Sequence, residues 1–146
     1  MAVFGHTPLT RLANRRLTRM VGRGRGPSFI RLLTVTGRRT GRPHTTPVVP
    51  VVRGADRWLV AAYGEVGWVR NARAAGVVTL SRGDTAETLR AVEVGPAEAV
   101  PVLRAYRALR PAGWVVRSHL AFGPRSSDAE IAAVAARHPV FRLVPR

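Results

Sequence analysis

The densest concentration of chemistry in the chain is the run Gly37-Arg38-Arg39-Thr40-Gly41-Arg42-Pro43. Two glycines permit a tight bend, three arginines supply forked cationic donors, and Thr40 adds a hydroxyl. Backbone N–H groups in such a turn, together with guanidinium forks, can grip phosphate or carboxylate oxygens bidentately. The same run equally suits a solvated hairpin tip. It is not a Walker loop, because no Gly-Lys-Ser/Thr follows, and Gly22–Gly26 (GRGRG) is not a dinucleotide fingerprint, because a helical pattern precedes it. Other chemistries lack their residues. With 0 Cys, thiolate metal sites, iron–sulfur clusters, disulfide frameworks and cysteine nucleophiles are excluded. The 4 His (His6, His44, His119, His138) show no ligand spacing, and the 8 acids form no obvious catalytic pair. No serine sits in a G-x-S-x-G elbow. A chain so short of acid and base groups fits a cofactor that brings its own reactivity.

The elements that must position the arginine turn read clearly. Phe29 to Thr36 is apolar and β-branched and leads into the turn; His44 to Arg53 leaves it, with Pro47 and Pro50 placing that strand at an edge or bulge. Gly54-Ala55-Asp56 turns the chain into a third strand, Arg57 to Tyr63. Gly67 to Ala75 reads as a short helix stopped by Gly76, and Val77–Ser81 with Thr85–Val94 form a hairpin about Gly83-Asp84. Pro96 opens a helix through Arg110, Ser127 caps another through Arg137, and Val140–Val144 is a last strand. Hairpins with peripheral helices and no βαβ alternation give an α+β class, and about six strands suggest a barrel rather than a Rossmann sheet.

A chain of 146 residues is expected to form one core, and no apolar run approaches the roughly 20 residues of a membrane helix. A cytoplasmic location is expected. All 24 basic residues are Arg, and the formal net charge is +16. A GC-rich genome explains part of that bias; its distribution says more. Residues 1–55 hold 11 Arg and no acid, whereas the remainder holds 13 Arg against 8 acids, so the positive field gathers at the N-terminal end and implies an anionic partner. There Thr7 to Gly22 reads as a basic amphipathic helix, suited to peripheral contact with a membrane surface or, as the plainer reading, to acting as a lid packed by its Leu face. We divide the chain into residues 1–26, a basic helix and Gly/Arg linker, and residues 27–146, the barrel domain.

GRRTGRPHTTPVV followed by WLVAAYGEVGWVRNARAAG, spanning Leu33 to Gly76, resembles the deazaflavin-dependent nitroreductase and quinone reductase family, users of coenzyme F-420 common in actinobacteria. The closing RHPVFRL (Arg137–Leu143) is similar to that family's C-terminal strand. The resemblance implies a split β-barrel and a reductase in which reduced F-420 passes a hydride to an electron-poor acceptor: a quinone, a nitroaromatic or an activated alkene. It implies coenzyme contacts from Arg38, Arg39 and Thr40 to the phosphate, and from the segments around Pro47, Tyr63 and Gly64 beside the ring. His44 stands where the family often has Arg. Trp68 and Asn71 match the family's W-x-x-N; three residues apart, they share a helix face, so the indole can stack on a flat heterocycle while the amide hydrogen-bonds nearby. Tyr106, Trp114 and Phe122 are the expected walls of the acceptor pocket, and Tyr63, Tyr106, His119 or water the sources of the accompanying proton. FMN or heme/biliverdin in the same barrel is the alternative, since fold does not fix function. An Arg-rich nucleic-acid module is a third reading, opposed by the absence of RNP-type aromatics.

Overall fold

The structure, a computed structural model, describes residues 8–110, 113 and 116–146. Among the described residues its strands are β1 (Arg31–Thr36), β2 (Pro43–Val48), β3 (Val51–Arg53), β4 (Asp56–Val60), β5 (Val77–Arg82), β6 (Thr85–Glu93) and β7 (Val140–Pro145). Its helices are α1 (Pro8–Gly22), α2 (Gly67–Ala75), α3 (Pro96–Ala108) and α4 (Asp128–Val134), with 3-10 turns at Arg117–His119 and Ala135–Arg137. The expected strand from His44 to Arg53 is divided. Pro50 carries no N–H to continue a ladder, and the chain crosses from one edge of the sheet to the other at Val49-Pro50.

The strands form a single antiparallel sheet in the order β2-β1-β5-β6-β7-β4-β3. Its two edge strands, β2 and β3, are therefore joined by only two residues. Seven strands about 4.8 Å apart would separate the edges of a flat sheet by roughly 29 Å, whereas three Cα steps reach about 11 Å. The sheet must curl until its edges nearly meet. The result is the split β-barrel of an α+β protein. Pro47 is tolerated because β2 is an edge strand paired only with β1.

Side-chain alternation sorts the core. Leu33 and Val35 of β1 point inward with Leu59, Val78, Leu80, Leu89 and Phe141, and α2 adds Val69 and Ala72 to this interior. Leu32, one residue out of phase, lies on the other face with Ile30, Val49 and the fully buried Val21 of α1. α1 is thus packed on β1 and β2 by its Leu17–Val21 end. Val60 of β4 faces α3, whose Val102, Leu103 and Tyr106 are buried against it. Ser127 caps α4 through a capping box: its hydroxyl accepts from Glu130 N at 3.1 Å and its own N–H donates to Glu130 Oε1 at 3.2 Å. The GRGRG run does not dangle. The Arg82 guanidinium donates to the carbonyls of Gly26 (2.8 Å), Pro27 (2.9 Å) and Ile30 (3.1 Å), and Gly83 at the β5–β6 turn donates its N–H to Val21 O (3.0 Å).

Candidate active site

A cavity of about 310 Å³ opens between β2, the C-terminal end of β4 and the start of α2. Its apolar walls include Val35, Leu59, Val60, Ala61, Ala62 and Trp68. Its polar groups come from His44, Thr45, Thr46, Asn71, Tyr63, Tyr106 and Asn14, and among the described residues none that lines it is acidic. The edge strand β2, paired only with β1, lines it from His44 to Val48.

The arginine turn adjoins the cavity through two of its lining residues, Asn71 and His44. Gly37 N donates to Arg42 O (2.8 Å) and Gly41 N to Gly37 O (2.9 Å), with Gly41 at φ 71°. Thr40 Oγ1 accepts from Arg42 N at 3.2 Å. Asn71, buried on α2, accepts at its Oδ1 from both Arg38 N (3.1 Å) and Arg38 Nη1 (2.8 Å), which fixes the turn to the helix. A Cβ on Gly37 would sit 2.6 Å from His44 Nε2 and 2.7 Å from its Cδ2, so the His44 imidazole rests on the bare glycine. Asn71 can occupy its place because α2 buries Val69 and Ala72 beside it and is stopped at Gly76 (φ 71°), whose N–H returns to Ala72 O. Arg73 braces the loop before α2, binding Glu65 at 2.8 Å and Glu93 at 2.7 Å. Its two carboxylate partners hold its pKa above the ordinary arginine value.

Trp68 lies one turn before Asn71. Its indole packs on Phe141 with ring centroids 5.7 Å apart and also borders the cavity, so it is at once a core and a wall residue. Further from the turn stand the two tyrosines. The Tyr63 ring meets His119 edge-on, centroids 4.7 Å apart, and burial pushes its hydroxyl above the ordinary tyrosine pKa. Tyr106 is raised as well, chiefly by burial and in addition by the neighbouring Tyr63 phenol.

The structure therefore brings His44, Pro47, Tyr63, Trp68, Asn71 and Tyr106 to one cavity. Arg38 adjoins it through Asn71, while Arg39 and Thr40 occupy the exposed tip of the turn. Gly64 follows Tyr63 at φ 84°, its Cα facing Arg137 O. Phe122 does not reach the cavity; it is buried against His138, centroids 6.3 Å apart. Trp114 lies outside the described residues. Asn14 was not singled out from the sequence. The available signal was a polar residue three before Leu17 and seven before Val21, on the stripe of α1 that turns inward.

No curated protein matches this sequence. Solved structures show the fold. An F-420-H2 dependent reductase (FDR-A) is 20% identical, with 79% of this chain and 93% of that chain covered at a TM-score of 0.55. A conserved hypothetical protein from Mycobacterium tuberculosis is 19% identical, with 100% and 84% covered at a TM-score of 0.51. A protein from Listeria innocua provisionally named pyridoxamine 5'-phosphate oxidase is 13% identical, with 90% and 92% covered, also at 0.51. The family model for F-420H(2)-dependent quinone reductase matches residues 9–119, a stretch that contains the arginine turn, the cavity strands and α2. With that match over most of its length, the chain belongs to the F-420H(2)-dependent quinone reductase family and is an oxidoreductase whose coenzyme is F-420.

Proposed function

We propose that the cavity seats the deazaflavin ring of F-420, with its phosphate at the Gly37–Arg42 turn, beside an electron-poor planar acceptor: a quinone, a nitroaromatic or an activated alkene. The observation that carries this reading is the junction of Arg38 with Asn71, which joins two motifs 33 residues apart into one rigid corner of an apolar slot. A flat ring with an anionic tail fits such a slot, because its walls are largely apolar, no acid lines it, and the cationic Arg38 adjoins it through Asn71. When bound, reduced F-420 supplies a hydride for the acceptor.

The residues bind, orient and exclude water. Arg38, Arg39 and Thr40 hold phosphate oxygens, and Asn71 keeps Arg38 aimed before the coenzyme arrives, which lowers the ordering cost of binding. His44 adds a hydrogen bond beside them. Pro47, Tyr63, Gly64 and Trp68 flank the ring, and Tyr106 stands on the acceptor side. Both phenols are protonated at neutral pH, as any tyrosine is, and burial raises their pKa further above the ordinary value. In this reading residues 27–146 carry the coenzyme and residues 1–26 add the helix that covers it. The reductase works in the cytoplasm of an actinobacterium, a proposal supported by its cysteine-free, arginine-rich composition.

Titration of the protein with oxidised and reduced F-420, followed by absorbance and run beside FMN, tests the reading. Tighter binding of F-420 than of FMN is expected. Tight FMN binding with no measurable F-420 affinity would overturn it.

A further inference from the structure

The acids of the chain are engaged away from α1. Arg57 is paired with Glu87, Arg73 with Glu65 and Glu93, Arg104 with Asp128, and Arg142 with Asp56 and Glu98. Glu130 closes the α4 capping box. Of the 8 acids that leaves Asp84. The side chains of Arg15, Arg16, Arg19, Arg23 and Arg25 are exposed, and among the described residues none of them has a hydrogen-bond or ion-pair partner.

These cations are ordered in space. At 3.6 residues per turn Leu12, Arg16 and Arg19 lie along one stripe of α1, and Arg23, whose N–H still donates to Arg19 O at 3.1 Å, extends it. The stripe is roughly 16 Å long and lies opposite Val21, which is fully buried against the barrel. Arg15 flanks it on one side and Met20 on the other. Leu12 is 50% exposed and Met20 44%; with Phe29 at 37%, three of the five exposed large apolar side chains among the described residues fall in this short segment. Like charges four residues apart, Arg15 with Arg19 and Arg19 with Arg23, oppose helix formation. The helix holds because Leu17 and Val21 pack on the barrel, while Arg82 and the Gly83 N–H pin the linker that follows. The charge is carried on a fixed support, and its counter-charge must come from another molecule.

We propose that this outer face of α1 docks the protein on an anionic lipid surface. The helix lies in the plane of the headgroups, with its guanidinium forks on lipid phosphates and with Leu12 and Met20 at the boundary of the acyl region. The inference does not depend on the coenzyme assignment. The contact is peripheral: no described helix is long and apolar enough to cross a membrane, and Leu17 and Val21 remain on the barrel. A lipid surface suits the face better than a nucleic acid does. A phosphodiester backbone would neutralise the arginines and leave Leu12 and Met20 in water, whereas the headgroup boundary shields them as well.

Co-sedimentation with vesicles of phosphatidylcholine alone, and of phosphatidylcholine with about one third phosphatidylglycerol, tests the proposal. The parent should bind the anionic vesicles and not the neutral ones, and binding should weaken as salt rises, a result that needs no variant. Each arginine at an anionic surface contributes about fivefold in affinity, so Arg16→Gln with Arg23→Gln should cost about 25-fold. Leu12→Ser should cost about threefold or more while keeping the parent's salt dependence. Arg53→Gln with Arg125→Gln removes the same net charge outside the stripe and should stay within about twofold of the parent. Melting curves of all three variants should match the parent, since each change is to an exposed side chain. Equal binding to both kinds of vesicle would overturn the proposal, as would an equal loss in the two double variants. Binding to a duplex oligonucleotide with none to the phosphatidylglycerol vesicles would overturn it in favour of a nucleic-acid partner.

Discussion

Replacing Asn71 by Ala removes two hydrogen bonds at once, to Arg38 N at 3.1 Å and to Arg38 Nη1 at 2.8 Å. A neutral bond contributes about 1 kcal/mol net, and one to a charged donor about 1.5–3 kcal/mol. Arg38 is exposed, so the low end applies to the second bond, and the pair amounts to about 2.5 kcal/mol. Spent on global stability, that would lower the melting temperature by roughly 5–10 °C for a domain of this size. The turn, however, keeps its own bonds between Gly37 and Arg42 and between Gly41 and Gly37 in the variant. The loss therefore falls mainly on the placement of Arg38. We expect F-420 affinity to drop about tenfold or more, with a ceiling near 70-fold from the full 2.5 kcal/mol, while the melting temperature moves by less than about 3 °C. Asn71→Asp retains an oxygen for Arg38 but sets a carboxylate beside an anionic ligand; it should keep the melting temperature and still weaken binding. The assay is a coenzyme titration paired with thermal melting. A fall of 5–10 °C with unchanged affinity would show that Asn71 is only a strut between hairpin and helix, and the reasoning would be refuted.

Arg38→Ala combined with Arg39→Ala should weaken F-420 binding at least tenfold, at about 1.5–3 kcal/mol per charge-assisted bond, and flatten its salt dependence; equal affinity across a salt series would leave the turn as a solvated tip. Gly37→Ala should displace the His44 ring, because its Cβ would lie 2.6 Å from Nε2, and weaken binding, with the additional change His44→Ala relieving the clash; titration of both variants decides it. Arg82→Ala removes the fork that holds the carbonyls of Gly26, Pro27 and Ile30, so trypsin should cut at Arg23 and Arg25 about tenfold faster, as loss of ~1.4 kcal/mol of local order requires. Burial lowers the pKa of His138 below its usual 6.5, so the unfolded chain takes up a proton that the folded one refuses. Stability contributed by this group is complete above about pH 7.5 and is lost as pH falls through the unfolded value, by at most ~1.4 kcal/mol per pH unit until the folded pKa is passed; melting curves of His138→Gln should lack that slope.

Local rules carried the reading where a residue's conformation is decided by its neighbours. The β1–turn–β2 hairpin was legible because Gly37 and Gly41 bracket it. The Ser127 cap, the Gly76 stop and the Gly83-Asp84 turn were legible for the same reason. Edge or bulge placement of the strand after the turn followed from Pro47 and Pro50, but Val48 to Val52 is a continuous apolar run, and nothing beyond Pro50 hinted that it splits between opposite edges. The site was legible as two motifs and not as one corner: W-x-x-N puts Trp68 and Asn71 on one face, whereas the bond from Asn71 to Arg38 depends on how α2 sits over β1. Asn14 escaped notice because a polar residue on an amphipathic helix reads as solvated until the packing of Val21 and Leu17 shows which way the stripe turns. Phe122, expected as a wall of the acceptor pocket at the end of the segment Leu109–Phe122, is absent from the cavity lining and is buried beside His138, a placement set by tertiary packing that the sequence does not display.

The place of β7 in the sheet has a consequence for how the protein is made. This strand lies between β6 and β4, pairing with the first from Leu89↔Pro145 to Glu93↔Phe141 and with the second from Arg57↔Leu143 to Val60↔Val140. Without it the sheet is two separate pieces, the four strands β2-β1-β5-β6 and the hairpin β3-β4. A nascent chain that has emerged through β6 holds both pieces with no ladder between them, and the apolar faces of Leu59 and Leu89 wait uncovered while α3 and α4 are translated. At roughly 5–20 residues per second that interval lasts seconds. The barrel closes only when residues 140–145 clear the ribosome, so rare codons between β6 and β7 would prolong the aggregation-prone stage, and a nonsense mutation before Val140 would leave a chain with no barrel rather than one with a missing edge.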